Sequence, residues 1–194
     1  MDNPSAFDTC PTIAPFLGYA GVALSIILAN TGAAMGTARA GVGIMQSGIK
    51  SPDLVWRNLI PIVMAGVNGI YGLITSIVVL GSIAMPAMGG NNRYSLYTGC
   101  AHLAAGLCCG LSGLGSGACI GIAGDAAIMA CGSYDVESKR SIGRRRGDGK
   151  KKSGGGEKLF VAMVLVQVFA GNIALYGLIA SIILSQQIFY CGGE

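Results

Sequence analysis

The sequence predicts an all-α membrane protein, with four transmembrane helices arranged as two tandem helical hairpins. Three observations predict it. Of 194 residues, 52% are apolar and 11% charged, and mean hydropathy is +0.61, far from the balance of a soluble domain. Four runs, 11–38, 58–92, 94–124 and 159–193, contain no charged residue, and each exceeds the roughly 20 apolar residues that cross a bilayer. The string AGVNGIYGLI at 65–74 returns as AGNIALYGLI at 170–179, so one hairpin is built twice.

The first hairpin occupies residues 1–92, with helices expected at about 12–46 and 53–85. The second occupies 93–194, with helices at about 94–131 and 158–190. Helices are required because lipid offers no partner to backbone N–H and C=O groups. Helix 1 carries a small-residue series, Ser25, Ala29, Gly32, Gly36, Ala40 and Gly43, with spacing 4, 3, 4, 4, 3. Helix 3 repeats that spacing in Gly106, Gly110, Gly113, Gly117, Gly121 and Gly124, shifted by 81 positions. Steps of three and four put each series on one helix face. Helices 2 and 4 are related by a shift of 105, so the second hairpin's loop carries a 24-residue insertion. Composition places that insertion at about 133–157. It is Gly-rich, basic and without apolar periodicity, and is expected to be a disordered, solvated loop.

Charge predicts orientation. Of 13 basic residues, all but Arg93 lie in two places. Arg39, Lys50 and Arg57 flank the helix 1–2 loop, and nine residues from Lys139 to Lys158 fill the helix 3–4 loop. The positive-inside rule makes both loops cytoplasmic and both termini lumenal. The N-terminus has no basic n-region or apolar h-region, so no cleavable signal is expected. The basic loop suits anionic lipid head groups, at about 1 kcal/mol per residue near the surface. No aromatic side chains interleave its charges, so nucleic acid is not an expected partner.

In lipid, close helix approach comes from small residues rather than from hydrophobic drive. The two glycine faces fit a four-helix monomer in which helices 1 and 3 meet. They equally fit a tight ring of many copies lined by helices 1 and 3. The pattern alone leaves both open.

Four segments then carry a resemblance: GTARAGVGI (36–44), SGIKSPDLVWRNLIPIVMAGVNGIYGLI (47–74), YSLYTGCAHLAAGLCCGLSGLGSGACIGIAGDA (94–126) and KLFVAMVLVQVFAGNIALYGLIASIIL (158–184). Together they are similar to the proteolipid c subunit of the vacuolar-type proton ATPase over nearly all of both hairpins. The resemblance implies a membrane rotor ring that takes part in proton transport and acidifies a vacuole or another endomembrane compartment. The partners it implies are other proteolipids of the ring, the a subunit of the membrane stator and the cytosolic d subunit that caps the ring. ATP hydrolysis would lie on other chains, and neither cofactor nor metal is expected.

The family's proton carrier is a glutamate midway along helix 4, in the sequence FAE followed by LYGLI. Here Phe169 and Ala170 are followed by Gly171, and Tyr176 and Gly177 follow in place. The equivalent position in the first repeat is Gly66. The nine carboxylates of the chain all lie away from mid-helix 2 and mid-helix 4. Three readings follow. The chain is a non-carrying member of a mixed ring, or it differs from an ordinary family member by a single-base change, or another group carries the proton. A competing class is a structural or pore-forming four-helix protein without proton transport. Polar neighbours at this level are Asn68, Asn172 and Tyr176; Tyr71 is the repeat equivalent of Tyr176. The asparagines suit either a hydrogen bond across helices or a held water, and an amide does not titrate in a useful range.

Other residues suggest no catalysis. Asp125 reads as a residue near the cytoplasmic end of helix 3 with a structural role. His102 reads as a packed or interfacial residue near the start of helix 3, with pH sensing as the alternative because histidine titrates near neutrality. The seven cysteines show no metal-ligand spacing, and four of them (Cys100, Cys108, Cys109, Cys119) read as small apolar helix residues. Cys10 and Cys191 lie on one predicted side, where a disulfide could join them.

Overall fold

Each uncharged run holds a long helix in the computed structural model, which describes residues 13–50, 52, 55–83, 94–144 and 154–188. The elements are α1 (Ala14–Lys50), α2 (Ile60–Ser82), α3 (Leu96–Arg144) and α4 (Gly154–Ser185), with a short 3-10 turn at Arg57–Leu59 before α2. All four are long and apolar enough to cross a membrane. Expected and observed bounds differ at helix 2. It begins at Ile60 rather than near 53, with Pro61 in its first turn, where the missing N–H costs nothing.

The largest correction concerns residues 133–157. α3 does not stop near 131; it continues as helix through Arg144, 49 residues in all. At 1.5 Å per residue that is roughly 70 Å, more than twice the hydrocarbon thickness. Charge in this stretch reads as a solvated loop in the sequence, yet extending an existing helix avoids the cost of a new nucleus. Local pairs support it: Lys139 Nζ lies 3.0 Å from Asp135 Oδ2 one turn away, and Ser133 Oγ donates to Ala130 O at 2.9 Å. α4 likewise begins at Gly154, despite three successive poor helix formers. The Tyr134 ring lies over Gly155 and Gly156, and a Cβ on Gly155 would collide with its hydroxyl. Residues 145–153 of the predicted loop lie outside the described residues, as do Cys10 and Cys191.

α1 and α3 pack face to face along nearly their whole common length, and α2 and α4 lie against them. Every member of the two small-residue series is buried. A Cβ on Gly106 would run into the backbone of Gly21, and one on Gly117 into the backbone of Gly32. A Cβ on Gly36 would sit 2.7 Å from Gly117 O, and one on Gly121 2.9 Å from Gly36 Cα. Gly32 abuts Gly113 and Leu114, Gly113 abuts Ala29, Gly110 abuts Leu24 and Leu28, and Gly43 faces Asp125. Gly124 differs: it faces Pro61 of α2 and Gln167 of α4. Helices 1 and 3 therefore meet within one chain, a contact compatible with either packing. The outward sides of α2 and α4 are apolar and exposed, with Ile70, Ile77 and Leu80 on one and Val161, Leu165, Phe169 and Ile183 on the other.

Candidate functional site

The mid-membrane level of α2 and α4 is where the repeat places its two equivalent glycines. Gly66 is exposed, and a Cβ there would meet nothing within 4 Å. Gly171 is half-buried, and a Cβ there would touch only Met64 Cε of α2, at the ordinary contact distance of 3.4 Å. Neither glycine is demanded by close packing. Both positions have room for a side chain.

Beside Gly171 runs a chain of neutral hydrogen bonds. Asn68 of α2 is 1% exposed; its Nδ2 donates to Ser116 Oγ of α3 at 3.0 Å. Ser116 Oγ in turn donates to the carbonyl of Ala170, at 2.6 Å, immediately before Gly171. One turn along α4, the fully buried Gln167 donates through Nε2 to Ile120 O at 3.3 Å, while its Oε1 has no partner. Three helices are thus tied together by side chains that do not titrate. Such bonds contribute on the order of 0.6 kcal/mol each. Asn172, half-buried, enters none of the described inter-helix hydrogen bonds. Tyr176 is 66% exposed and points outward.

The sequence did not single out Ser116 or Gln167. Gln167 had a signal: a polar side chain in an uncharged run is costly in lipid unless partnered. Ser116 had none, being one more small residue on a small-residue helix. Asp125, expected near a helix end, sits inside α3 because that helix continues to Arg144. It is half-buried against Gly43, and its Oδ1 has no hydrogen-bond partner.

A second polar cluster joins the start of α3 to the end of α4. His102 is fully buried and Tyr94 2% exposed. Tyr94 Oη lies 2.6 Å from His102 Nδ1, and His102 Nε2 lies 3.3 Å from Ser185 O. Burial, with a smaller contribution from Tyr19, pushes the Tyr94 phenol up to about 12, so it keeps its proton; which partner donates is set by the histidine tautomer. The described cysteines are free; Cys100 and Cys119 are exposed, Cys108 intermediate, and Cys109 and Cys131 buried.

Comparison with known proteins decides the family. The family of ATP synthase C subunits matches twice, over residues 20–79 and 103–184, once per hairpin. The V-type proton ATPase 16 kDa proteolipid subunit of Chrysotila carterae is 47% identical over 180 residues, covering 93% of this chain and 96% of the relative. The chain belongs to the V-type proton ATPase proteolipid family. This proteolipid is accordingly a non-catalytic membrane component of the pump's rotor, and its hairpin duplication is the family's domain present twice. Among the described residues no three His, Cys, Asp or Glu side chains group as a metal site. The sole carboxylate on α2 or α4 is Glu157, in the first turn of α4.

Proposed function

We propose that this proteolipid occupies the rotor ring as a member that does not itself carry the proton. The observation that carries this reading is Gly171. The resemblance puts the carrier there, and the surrounding groups are amides, hydroxyls and carbonyls. A carrier must exist in two protonation states, and a lipid-facing carboxyl does so because desolvation keeps it neutral until a cation stabilises its charge. Asn68, Ser116 and Gln167 have no such second state. Their network instead holds α4 against α3 at the level where a carrier would otherwise move charge.

The partners in this reading are proteolipids that bear the glutamate, the a subunit of the membrane stator and the d subunit that caps the ring. The division into two proteolipid hairpins, 1–92 and 93–194, makes the chain equivalent to two single-hairpin proteolipids in such a ring. The strong basic bias of the helix 1–2 and 3–4 loops supports a cytoplasmic position for both, beside anionic lipid, with the termini in the lumen of a vacuole or another acidified compartment.

The test is direct because position 171 has space. A Gly171→Glu chain supplied as the only proteolipid should acidify vesicles where the native chain does not. Acidification by rings built solely of the native chain would overturn the proposal. Carbodiimide, which modifies protonated buried carboxyls, should label α4 of the variant and leave native α4 unlabelled. Native chain that never co-purifies with glutamate-bearing proteolipids would favour a structural or pore-forming role.

A further inference from the structure

We propose that His102 is a pH-operated latch that ties the end of α4 to the start of α3 when neutral and releases it when protonated. The last carbonyls of a helix lack intrahelical donors. Ser185 is the final residue of α4, and its carbonyl receives the Nε2–H of His102. That assigns the proton of the neutral ring to Nε2 and leaves Nδ1 to accept from the Tyr94 hydroxyl. One donor and one acceptor are all a neutral imidazole has, and both are used.

Protonation breaks this arrangement at a specific atom. With Nδ1 carrying hydrogen, the Tyr94 O–H loses its acceptor. Its surroundings are apolar: a Cβ on Gly18 would lie 2.7 Å from the phenol oxygen and 3.1 Å from Ile83 Cδ1. A buried imidazolium would also need a counter-charge. Ionisable side chains of the neighbouring elements are Tyr19 on α1, Tyr97 and Cys100 on α3, and Tyr94 itself. α2 offers only Tyr71, and the part of α4 beyond Lys158 only Tyr176. None is a carboxylate. Arg93, Asp2, Asp8 and Glu194 lie outside the described residues. Nε2–H still donates to Ser185 O after protonation, so the closed latch is disfavoured by the buried charge and the stranded Tyr94 hydroxyl rather than by loss of that bond, and opening frees the last turn of α4 from α3. With the orientation proposed above, this end faces the compartment being acidified, so the device would respond to the pump's own product. That last step rests on the orientation; the latch itself does not.

The chain has one histidine, which makes its imidazole resonances unambiguous. The full-length protein in nanodiscs, with the same buffer on both faces, is titrated from pH 8 to 5 by nitrogen NMR of the ring and amide exchange at residues 184–187, corrected for intrinsic exchange. At pH 8 the ring should be the Nε2–H tautomer. Below the titration midpoint, opening of the α4 end should rise by up to about tenfold per pH unit, the limit for one linked proton. His102→Gln keeps a donor and an acceptor without a charge, so its profile should be flat. Tyr94→Phe has no hydroxyl to strand and leaves Nδ1 unsatisfied, so its transition should move to higher pH. An Nδ1–H tautomer at pH 8, or a native profile identical to that of His102→Gln, would overturn the proposal. So would a protonated ring with the α4 end still protected. If His102→Gln does not fold, the native tautomer and the Tyr94→Phe shift still decide.

Discussion

The two hairpins share a steric plan and differ in their polar one. At steric positions they are nearly interchangeable: Gly36 and Gly117 are repeat equivalents, and each presses against the facing helix. At polar positions they diverge. In the first hairpin, Ser25 Oγ donates to Gly72 O and Ser76 Oγ to Val22 O, both at 3.2 Å. The repeat equivalent of Ser25 is Gly106, which has no donor. That of Ser76 is Ser181, whose buried hydroxyl has no partner. The second hairpin is joined instead through Ser116, Gln167 and His102. Close backbone approach tolerates no added atom, so the glycine spacing is rigidly specified. A hydrogen bond worth a fraction of a kcal/mol can be made from several places along a helix pair.

The largest effects should therefore be the symmetric ones. Gly36→Ala and Gly117→Ala should each destabilise the bundle by about 1–3 kcal/mol, the usual range for overpacking, measured by thermal denaturation in detergent. Gly115→Ala, two residues from Gly117 and facing open space, should be neutral or stabilising by up to about 1 kcal/mol. Equal losses at Gly115 and Gly117 would break the steric half of the comparison. A smaller, asymmetric effect is expected at the asparagines. Asn68→Leu should cost roughly 0.6 kcal/mol and at most about 1.7, whereas Asn172→Leu should cost nothing. Of similar size is the serine pair. Ser76→Ala should lose about 0.5–1 kcal/mol, and Ser181→Ala should be neutral or slightly stabilising, because it removes a buried hydroxyl with no partner. Equal losses at the two serines would show that the polar plans are more alike than the described bonds indicate.

How much of this was legible depends on period and chemistry. The glycine series repeats every three or four residues, and a face is a periodic property, so its burial could be read directly. Gly171 was placed by the resemblance and Gly66 by its equivalence in the repeated string. The α3 extension was not legible, because residues 133–144 have the composition of a solvated loop and their helicity follows from continuing an existing helix. Ser116, Tyr94 and the carbonyl of Ser185 were not legible either. Their partners lie on other helices, and nothing in the spacing of one helix says which residue of another it will meet.

By itself, the sequence determined the membrane class, the four spans, the duplication, the small-residue faces and the absence of a mid-helix carboxylate. These are matters of composition and local period, which lipid and helix geometry translate without ambiguity. Only the tertiary structure decided that the two glycine faces meet inside one chain, that Asn68 reaches α4 through Ser116, and that the lone histidine joins two helix ends. Those outcomes depend on helix rotation and register between segments distant in sequence. They are set by the backbone contacts of α1 and α3, which tolerate few alternatives once the glycines have let the helices close.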